Sequence, residues 1–143
     1  NAFDICKEAV RHISGLARNK NISISLSGNE TSEINADRMW MREAVENIIK
    51  NSIDHAECDK ISISVSETIT SVTITVSDNG KGIPQEYIPK LFERFGKSSG
   101  SSVMSSTGIG MSIAEKIVNA HNGEILVFSE MNKGTSFDMI LLK

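Results

Sequence analysis

The sequence predicts an α+β fold with two layers, in which helices cover one face of a mixed, mostly antiparallel sheet. Three observations predict this class. Three segments carry apolar residues at helical spacing, and other segments alternate apolar with polar residues, as half-buried strands do. A length of 143 residues favours one core, so we expect a single domain over residues 1–143.

The three predicted helices differ in how their ends are marked. The first runs to about Lys20, and the second follows the capping residue Asp37 and runs to about His55. The third begins near Met111 and stops at the Asn-Gly pair of residues 122–123. Their apolar stripes are Ile5, Ala9, Ile13, Leu16 and Ala17, then Met41, Ala44, Val45, Ile48 and Ile49, then Met111, Ala114, Ile117 and Val118.

The predicted strands carry apolar residues at every second position. One precedes the second helix, two follow it as an antiparallel hairpin, and residues 125–128 and 136–142 form closing strands. Between residues 78 and 107 only a short turn around 87–95 is expected, and the Ser/Gly-rich residues 97–106 predict a loop. The alternating residues before that loop are Ile22, Ile24 and Leu26, then Ile61, Ile63 and Val65, then Val72, Ile74 and Val76.

Composition and charge exclude several classes of function. A net charge of −3 gives no reason to expect non-specific binding to nucleic acid, and no apolar run approaches the length of a transmembrane helix. Cys6 and Cys58 form neither a CxxC pair nor a disulfide framework, which favours reduced thiols in a cytosolic domain. Because the chain begins at Asn1, we expect a fragment of a longer protein.

The second helix carries the first candidate site. Asn47, Asn51 and Asp54 lie at i, i+4 and i+7, so they share one helix face. Such a polar stripe is most often only a solvated surface. An amide oxygen is also a ligand that Mg²⁺ accepts beside substrate phosphates, and this role suits Asn51.

Asp78 is the second candidate, because it continues the parity of the apolar residues in its strand and therefore points toward the core. A buried carboxylate needs hydrogen-bond donors. It could accept from nearby backbone N–H groups in an Asx-turn, or from the exocyclic amine of a base. In the second case, Gly80 and Gly82 would let the backbone pass close to a flat ligand.

Gly108 and Gly110 form the third candidate, since they stand immediately before the third predicted helix. A helix N-terminus with exposed N–H groups favours an anion, which predicts a phosphate site. A glycine pair required only for tight packing is the alternative. The Rossmann pattern is excluded because position 113 is Ile, and no Gly-Lys-Ser/Thr of a Walker loop occurs.

Taken in order, these clusters resemble the ATP-binding catalytic domain of sensor histidine kinases. Residues 47–52 resemble its N box, residues 78–83 its first glycine box, and residues 107–113 its second glycine box. Residues 91–95 match the phenylalanine box, and residues 133–137 resemble the closing Gly-Thr strand. The resemblance covers nearly the whole chain and implies the Bergerat fold shared with gyrase, heat-shock chaperones and MutL.

The resemblance implies a role for each matched residue. Asp78 would bind the adenine amine, Asn51 would ligate Mg²⁺, and Asn47 would act catalytically in the phosphate–metal region. Gly108 and Gly110 would lie along the phosphates of ATP. The other residues that the resemblance places at the nucleotide are His55, Gly80, Gly82, Ile83, Thr107, Ile109 and Thr135.

The resemblance also implies an ATP lid over about residues 83–107. Phe92 and Phe95 would anchor this lid, and Arg94 or Lys97 would reach the phosphates. An exposed basic pair without a ligand is the alternative for these two cations.

Two positions depart from or qualify the family pattern. Position 54 often holds Lys or Arg in the family, whereas this chain has Asp54. An acid would repel the triphosphate unless it faces away or holds water of the metal, and Lys50 or Lys97 could supply the missing positive charge. His55 stands where the family has an aromatic or histidine ring, so we expect it near the ribose or phosphates, without an acid–base role.

The resemblance predicts a kinase that phosphorylates a histidine on a separate helical dimerisation domain. His12, His55 and His121 all lack the sequence context of that phosphoacceptor, so the chain alone should bind Mg²⁺–ATP without labelling itself. Three alternatives are an ATP-hydrolysing gate, a serine kinase acting on a regulatory partner, and a non-catalytic binding module. The first two resemble each other in having glutamate where this chain has Asn47, and Asn cannot accept a proton at neutral pH.

The family also implies the partners and the location. The partners would be the dimerisation domain of the same kinase, through which the full-length protein forms a homodimer, and a downstream response regulator. We expect no nucleic-acid partner and a monomeric fragment. The domain would be cytoplasmic, in a kinase anchored to the cell membrane by other segments.

Overall fold

A computed structural model describes residues 1–91 and 110–143 in full and the backbone of residues 102–109. These residues form three α-helices, five strands and one short 3₁₀ turn. The helices are α1 (Ala2–Asn19), α2 (Arg38–His55) and α3 (Ser102–Ala120), and the 3₁₀ turn is Gln85–Lys90. The strands are β1 (Ser23–Gly28), β2 (Lys60–Glu67), β3 (Ser71–Asp78), β4 (Glu124–Glu130) and β5 (Gly134–Leu142).

The strands make one mixed sheet in the order β1-β2-β3-β5-β4. β1 pairs with β2 in parallel, whereas the three other pairings are antiparallel. The hairpin of β2 and β3 and the closing strands β4 and β5 are therefore as predicted. The register places Asp78, the last residue of β3, opposite Ile61 of β2 and Thr135 of β5.

The core lies between the helices and one face of the sheet. In β3, every second residue is buried, ending with Asp78. The alternate residues of the strands face away from the helices and are largely hydroxyl-bearing, and on that face Thr75 Oγ1 donates a hydrogen bond to Asp138 at 2.9 Å. The two-layer α+β architecture is confirmed. No helix among the described residues is both long enough and apolar enough to cross a membrane.

The start of α2 shows how the sequence fixes an element locally. Asp37 is the N-cap, and its carboxylate accepts a hydrogen bond from the Trp40 N–H at 3.0 Å. The backbone N–H of Asp37 donates to His121 Nε2 at 3.1 Å, which ties this end of α2 to the end of α3. These two hydrogen bonds of Asp37 therefore anchor the first turn of the helix that carries Asn47 and Asn51.

α3 begins earlier than predicted. We expected its start after the glycines, near Met111, whereas the helix already includes Ser102. The reason is that residues 102–110 contain no proline, and glycine weakens a helix by only about 1 kcal/mol per residue, which neighbouring turns can overcome. Gly108 and Gly110 therefore lie inside a helix, and residues 102–107 are not loop as the predicted lid requires.

Candidate functional site

Asp78 lies at the centre of the candidate site and points toward the helices, as the alternation of β3 predicts. It is 9% exposed. Ser52 Oγ donates to its Oδ2 at 3.0 Å, and the Gly80 N–H donates to its Oδ1 at 2.9 Å. Burial raises the pKa of Asp78, and hydrogen bonds from Gly80, Ser52 and the Thr135 backbone oppose that rise.

These contacts leave the Asp78 carboxylate with capacity for another donor. The Gly80 bond is the Asx-turn that the sequence allowed as an alternative to a ligand contact. An ionised carboxylate accepts about four hydrogen bonds, and the protein supplies three donors here. Asp78 can therefore accept the hydrogen bond of the Asx-turn and, at the same time, one from the amine of a base.

The glycine turn after β3 packs tightly against the protein's own backbone. A Cβ on Gly80 would lie 2.0 Å from the Ala56 carbonyl oxygen, where α2 ends. Gly82 has φ +82°, and a Cβ there would lie 2.4 Å from the Glu130 carbonyl oxygen. The contacts with Ala56 and Glu130 explain why glycine is needed at both positions, and the expected approach of a flat ligand to this turn stays a prediction.

Backbone hydrogen bonds hold the same turn in place. The Lys81 N–H donates to the Ala56 carbonyl at 2.8 Å, and the Ile83 N–H donates to Ser129 Oγ at 2.7 Å. Ser129 Oγ also lies 2.9 Å from Thr135 Oγ1. The described contacts of Ile83 and Thr135 are thus to protein groups that support Asp78 and its turn.

Asn51 presents an unsatisfied acceptor on α2. Its side chain is 9% exposed, and its Oδ1 has no hydrogen-bond partner among the described residues. Buried polar atoms normally have partners, so this oxygen is available to accept a hydrogen bond or to coordinate a cation. No group of three or more His, Cys, Asp or Glu side chains in the described part could hold a metal, so a cation here would rely on amide oxygen, water and phosphate.

Asn47 lies one turn before Asn51 and between two neighbours. Its Nδ2 donates to Glu43 Oε2 at 3.4 Å. Its Oδ1 faces α3, where it would lie 3.5 Å from a Cβ built on Gly110. The structure therefore brings Asn47 next to Gly110, a residue of another sequence cluster, with Asn51 one turn further along α2.

His55 is the last residue of α2 and is half-buried. Both ring nitrogens lack a hydrogen-bond partner within the described residues. Burial lowers the pKa of His55, with Asp54 opposing the shift and Lys81 and Lys20 adding to it. The ring is therefore neutral at neutral pH, as its predicted packing role requires.

Asp54 forms an ion pair that the sequence did not predict. Lys20, just after α1, places its Nζ 3.9 Å from Asp54 Oδ1, and both side chains are about half-exposed. The expectation that Lys50 or Lys97 supplies the positive charge missing at position 54 stays a prediction, because Lys97 lies outside the described residues. In the described part of the chain, the cation beside Asp54 is Lys20, whose pairing is too exposed to contribute much stability.

The second glycine cluster is placed differently from the prediction. We expected Gly108 and Gly110 to offer free N–H groups at a helix N-terminus, but both lie within α3. Inside a helix the N–H groups bond to carbonyls four residues earlier, so this geometry provides no helix-terminal phosphate site at these glycines.

Several predicted site residues lie outside the described residues. They are Phe92, Phe95, Arg94 and Lys97, and the side chains of Thr107 and Ile109 are likewise not described. Their expected roles in the lid and at the phosphates stay predictions.

Sequence reasoning missed Ser52, Lys20 and Glu43. Ser52 is fully buried and donates to Asp78, but a small polar residue beside the apolar stripe of a helix carries no distinctive signal. Lys20 and Asp54 are joined only by the packing of α1 against α2. Glu43 could have been found, because it precedes Asn47 by four residues and so lies on the same helix face.

The domain thus combines a two-layer α+β fold with a sheet carboxylate, Asp78, that faces the asparagine-bearing helix α2. Residues 36–143 match the family described as "Histidine kinase-, DNA gyrase B-, and HSP90-like ATPase". The chain belongs to this family, and it is an ATP-binding catalytic domain of the sensor histidine kinase type.

Individual relatives agree with this assignment. The chain is 33% identical over 140 residues to "Heme sensor protein HssS" of Staphylococcus saprophyticus, covering 97% of this chain and 30% of that protein. It is 32% identical over 141 residues to "Sporulation kinase C" of Bacillus subtilis, covering 96% and 32%. It therefore spans about a third of the length of these relatives.

A solved structure confirms the architecture. The catalytic domain of histidine kinase ThkA, in a nucleotide-free form, superposes with a TM-score of 0.84 at 28% identity. The match covers 100% of this chain and 95% of that one. The similarity extends over the entire domain.

Proposed function

We propose that this domain, taken as a single unit over residues 1–143, binds Mg²⁺–ATP and donates the γ-phosphoryl group to a histidine on a separate helical domain of the same kinase. The proposal rests on two polar groups whose capacity to accept a hydrogen bond or bind a cation is not fully used by the protein. Asp78 retains capacity for one donor, and the buried Asn51 Oδ1 lacks any described partner. A nucleotide amine and a hydrated cation would complete them.

Each polar group has a distinct task in this proposal. Asp78 accepts a hydrogen bond from the adenine amine, held in orientation by Ser52 and Gly80. Asn51 would hold Mg²⁺ through its amide oxygen, and bound Mg²⁺ would neutralise charge on the β- and γ-phosphates. His55, which is neutral, packs beside the ribose or phosphates, and Lys20 reduces the repulsion from Asp54.

The chemistry favoured is transfer to an incoming nucleophile rather than hydrolysis. A ring nitrogen of the acceptor histidine would bond to the γ-phosphorus as the bond to the ADP oxygen breaks. Asn47 cannot activate water as a base. Of the nearby carboxylates on α2, Glu46 forms an ion pair with Arg42, with Nε and Oε2 3.2 Å apart, and Glu43 accepts a hydrogen bond from the Asn47 amide.

The same proposal assigns the wider context. The partners would be the phosphoacceptor domain, through which the full-length kinase forms a homodimer, and a response regulator that receives the phosphoryl group. The domain itself would be monomeric and cytoplasmic, in a kinase anchored to the membrane. We also infer that Phe92, Arg94 and Lys97 belong to a lid within residues 83–107, of which residues 102–107 form the start of α3, and that Thr107, Gly108 and Ile109 approach the phosphates from within that helix.

A transfer experiment tests this function. Incubated with γ-labelled ATP and Mg²⁺, the domain alone should neither label itself nor release phosphate appreciably. Mixed with the helical phosphoacceptor domain of its own kinase, it should label that domain on an acid-labile histidine, slowly because the covalent tether is missing. Asp78→Asn serves as the inactive control. Self-labelling that survives Asp78→Asn, or fast phosphate release by the isolated domain, would instead support an ATP-hydrolysing gate.

A further inference from the structure

The amide of Asn47 has different neighbours at its two ends. Its nitrogen faces Glu43, one turn earlier on α2, with Nδ2 and Oε2 3.4 Å apart. Its oxygen faces α3 at Gly110, where an added Cβ would lie 3.5 Å from it. Asn47 is half-buried and Glu43 is exposed. The contact therefore lies near the surface, beside the packing of α2 against α3.

The chemistry of the two groups explains this orientation. An ionised carboxylate can only accept hydrogen bonds, whereas an amide donates through nitrogen and accepts through oxygen. Rotating the Asn47 amide by half a turn would bring its oxygen against the Glu43 carboxylate and lose the hydrogen bond. Glu43 thus favours one of two otherwise similar orientations of the amide.

We propose that Glu43 is a positioning residue that keeps the oxygen of Asn47 turned toward α3, where the proposed function places the phosphates of ATP. This inference rests on the proposed function, because it assigns the amide oxygen of Asn47 to a bound ligand, Mg²⁺–ATP. An amide oxygen can contact a hydrated divalent cation but repels a phosphate oxygen, which would need the amide nitrogen. Glu43 therefore directs Asn47 to the cation side of Mg²⁺–ATP and away from direct contact with phosphate.

The test separates the hydrogen bond of Glu43 from its charge. Glu43→Gln removes the charge and keeps an acceptor for Asn47 Nδ2, whereas Glu43→Ala removes both. Glu43→Lys offers a donor and should turn the amide around. All three residues are good helix formers, and the position is exposed, so the fold should persist. Glu124→Ala, at the exposed start of β4, is the control for loss of a surface charge.

Titration calorimetry with adenosine, with ATP in excess chelator and with ATP in excess Mg²⁺ gives the readout. Mg²⁺ should strengthen ATP binding equally in the unmodified chain, Glu43→Gln and Glu124→Ala. The ratio of ATP affinity with Mg²⁺ to ATP affinity without it should fall by about 3- to 10-fold in Glu43→Ala, the range expected for one hydrogen bond. It should fall further in Glu43→Lys. Adenosine binding should be unchanged in all variants, whereas a general structural role would alter it too.

A second readout needs no nucleotide. In the free protein, the side-chain NH₂ resonances of Asn47 should show slowed hydrogen exchange in the unmodified chain and in Glu43→Gln, but not in Glu43→Ala. Equal exchange in all three, or a Mg²⁺ effect unchanged by Glu43→Ala, would overturn the proposal. A loss as large in Glu43→Gln as in Glu43→Ala would also overturn it, because charge alone would then account for Glu43. If the domain bound no ATP in any form, the proposed function would fail first.

Discussion

Asp78→Asn is expected to weaken ATP binding by about 2–4 kcal/mol, or roughly 30- to 1000-fold. The carboxylate accepts from Ser52, Gly80 and the Thr135 backbone, and we assign its remaining capacity to the adenine amine. An asparagine has only one acceptor oxygen. Its NH₂ group must therefore face a donor, either within the protein or on the base, in a site that is 9% exposed.

Titration calorimetry on the folded variant measures this loss. Asp138→Asn is the matched control, because Asp138 accepts from Thr75 on the sheet face that the helices do not cover. It should leave ATP affinity unchanged. ATP affinity in a folded Asp78→Asn variant equal to that of the unmodified chain would refute the base-reading role.

Asn51→Ala should remove most of the gain in ATP affinity that Mg²⁺ provides, a loss of at least about tenfold. The physical reason is that Asn51 Oδ1 is buried without a described partner and is the ligand atom we assign to the cation. Adenosine, which carries no phosphate, should bind almost as before.

The measurement compares ATP affinity with and without Mg²⁺ in the two proteins. Asn119→Ala, at an exposed position of α3, controls for the loss of a helical asparagine. If Mg²⁺ strengthens ATP binding to Asn51→Ala as much as to the unmodified chain, Asn51 is not a metal ligand.

Local signals in the sequence were sufficient for most of the fold. Asp37 caps α2 because capping depends on residues three positions apart, and the buried side of Asp78 follows from strand parity alone. The shared face of Asn47 and Asn51 follows equally from helical spacing. Each of these features is decided within one element, so the sequence carries it directly.

Features that depend on contacts between elements were not predictable in the same way. The Lys20–Asp54 contact exists because α1 ends beside the last turn of α2. The need for glycine at position 80 comes from the Ala56 carbonyl, 24 positions earlier in the chain. No periodicity in the sequence encodes such neighbours.

The start of α3 shows a different reason for a wrong prediction. Glycine disfavours helix by only a modest amount, so two glycines mark a helix end only when capping or packing agrees. Here the helix continues through Gly108 and Gly110 to Ser102. The sequence motif was recognisable, but its backbone conformation did not follow from composition.

Selection of the nucleotide base by Asp78 can be tested by comparing the binding of ATP with that of inosine triphosphate. Inosine presents a carbonyl oxygen where adenine has its amine, so the carboxylate would meet an acceptor instead of a donor. With the unmodified domain and excess Mg²⁺, calorimetry should show inosine triphosphate binding at least about 30-fold more weakly than ATP, and Asp78→Asn should narrow that ratio. Equal affinities of the unmodified domain for the two nucleotides would show that Asp78 does not read the base.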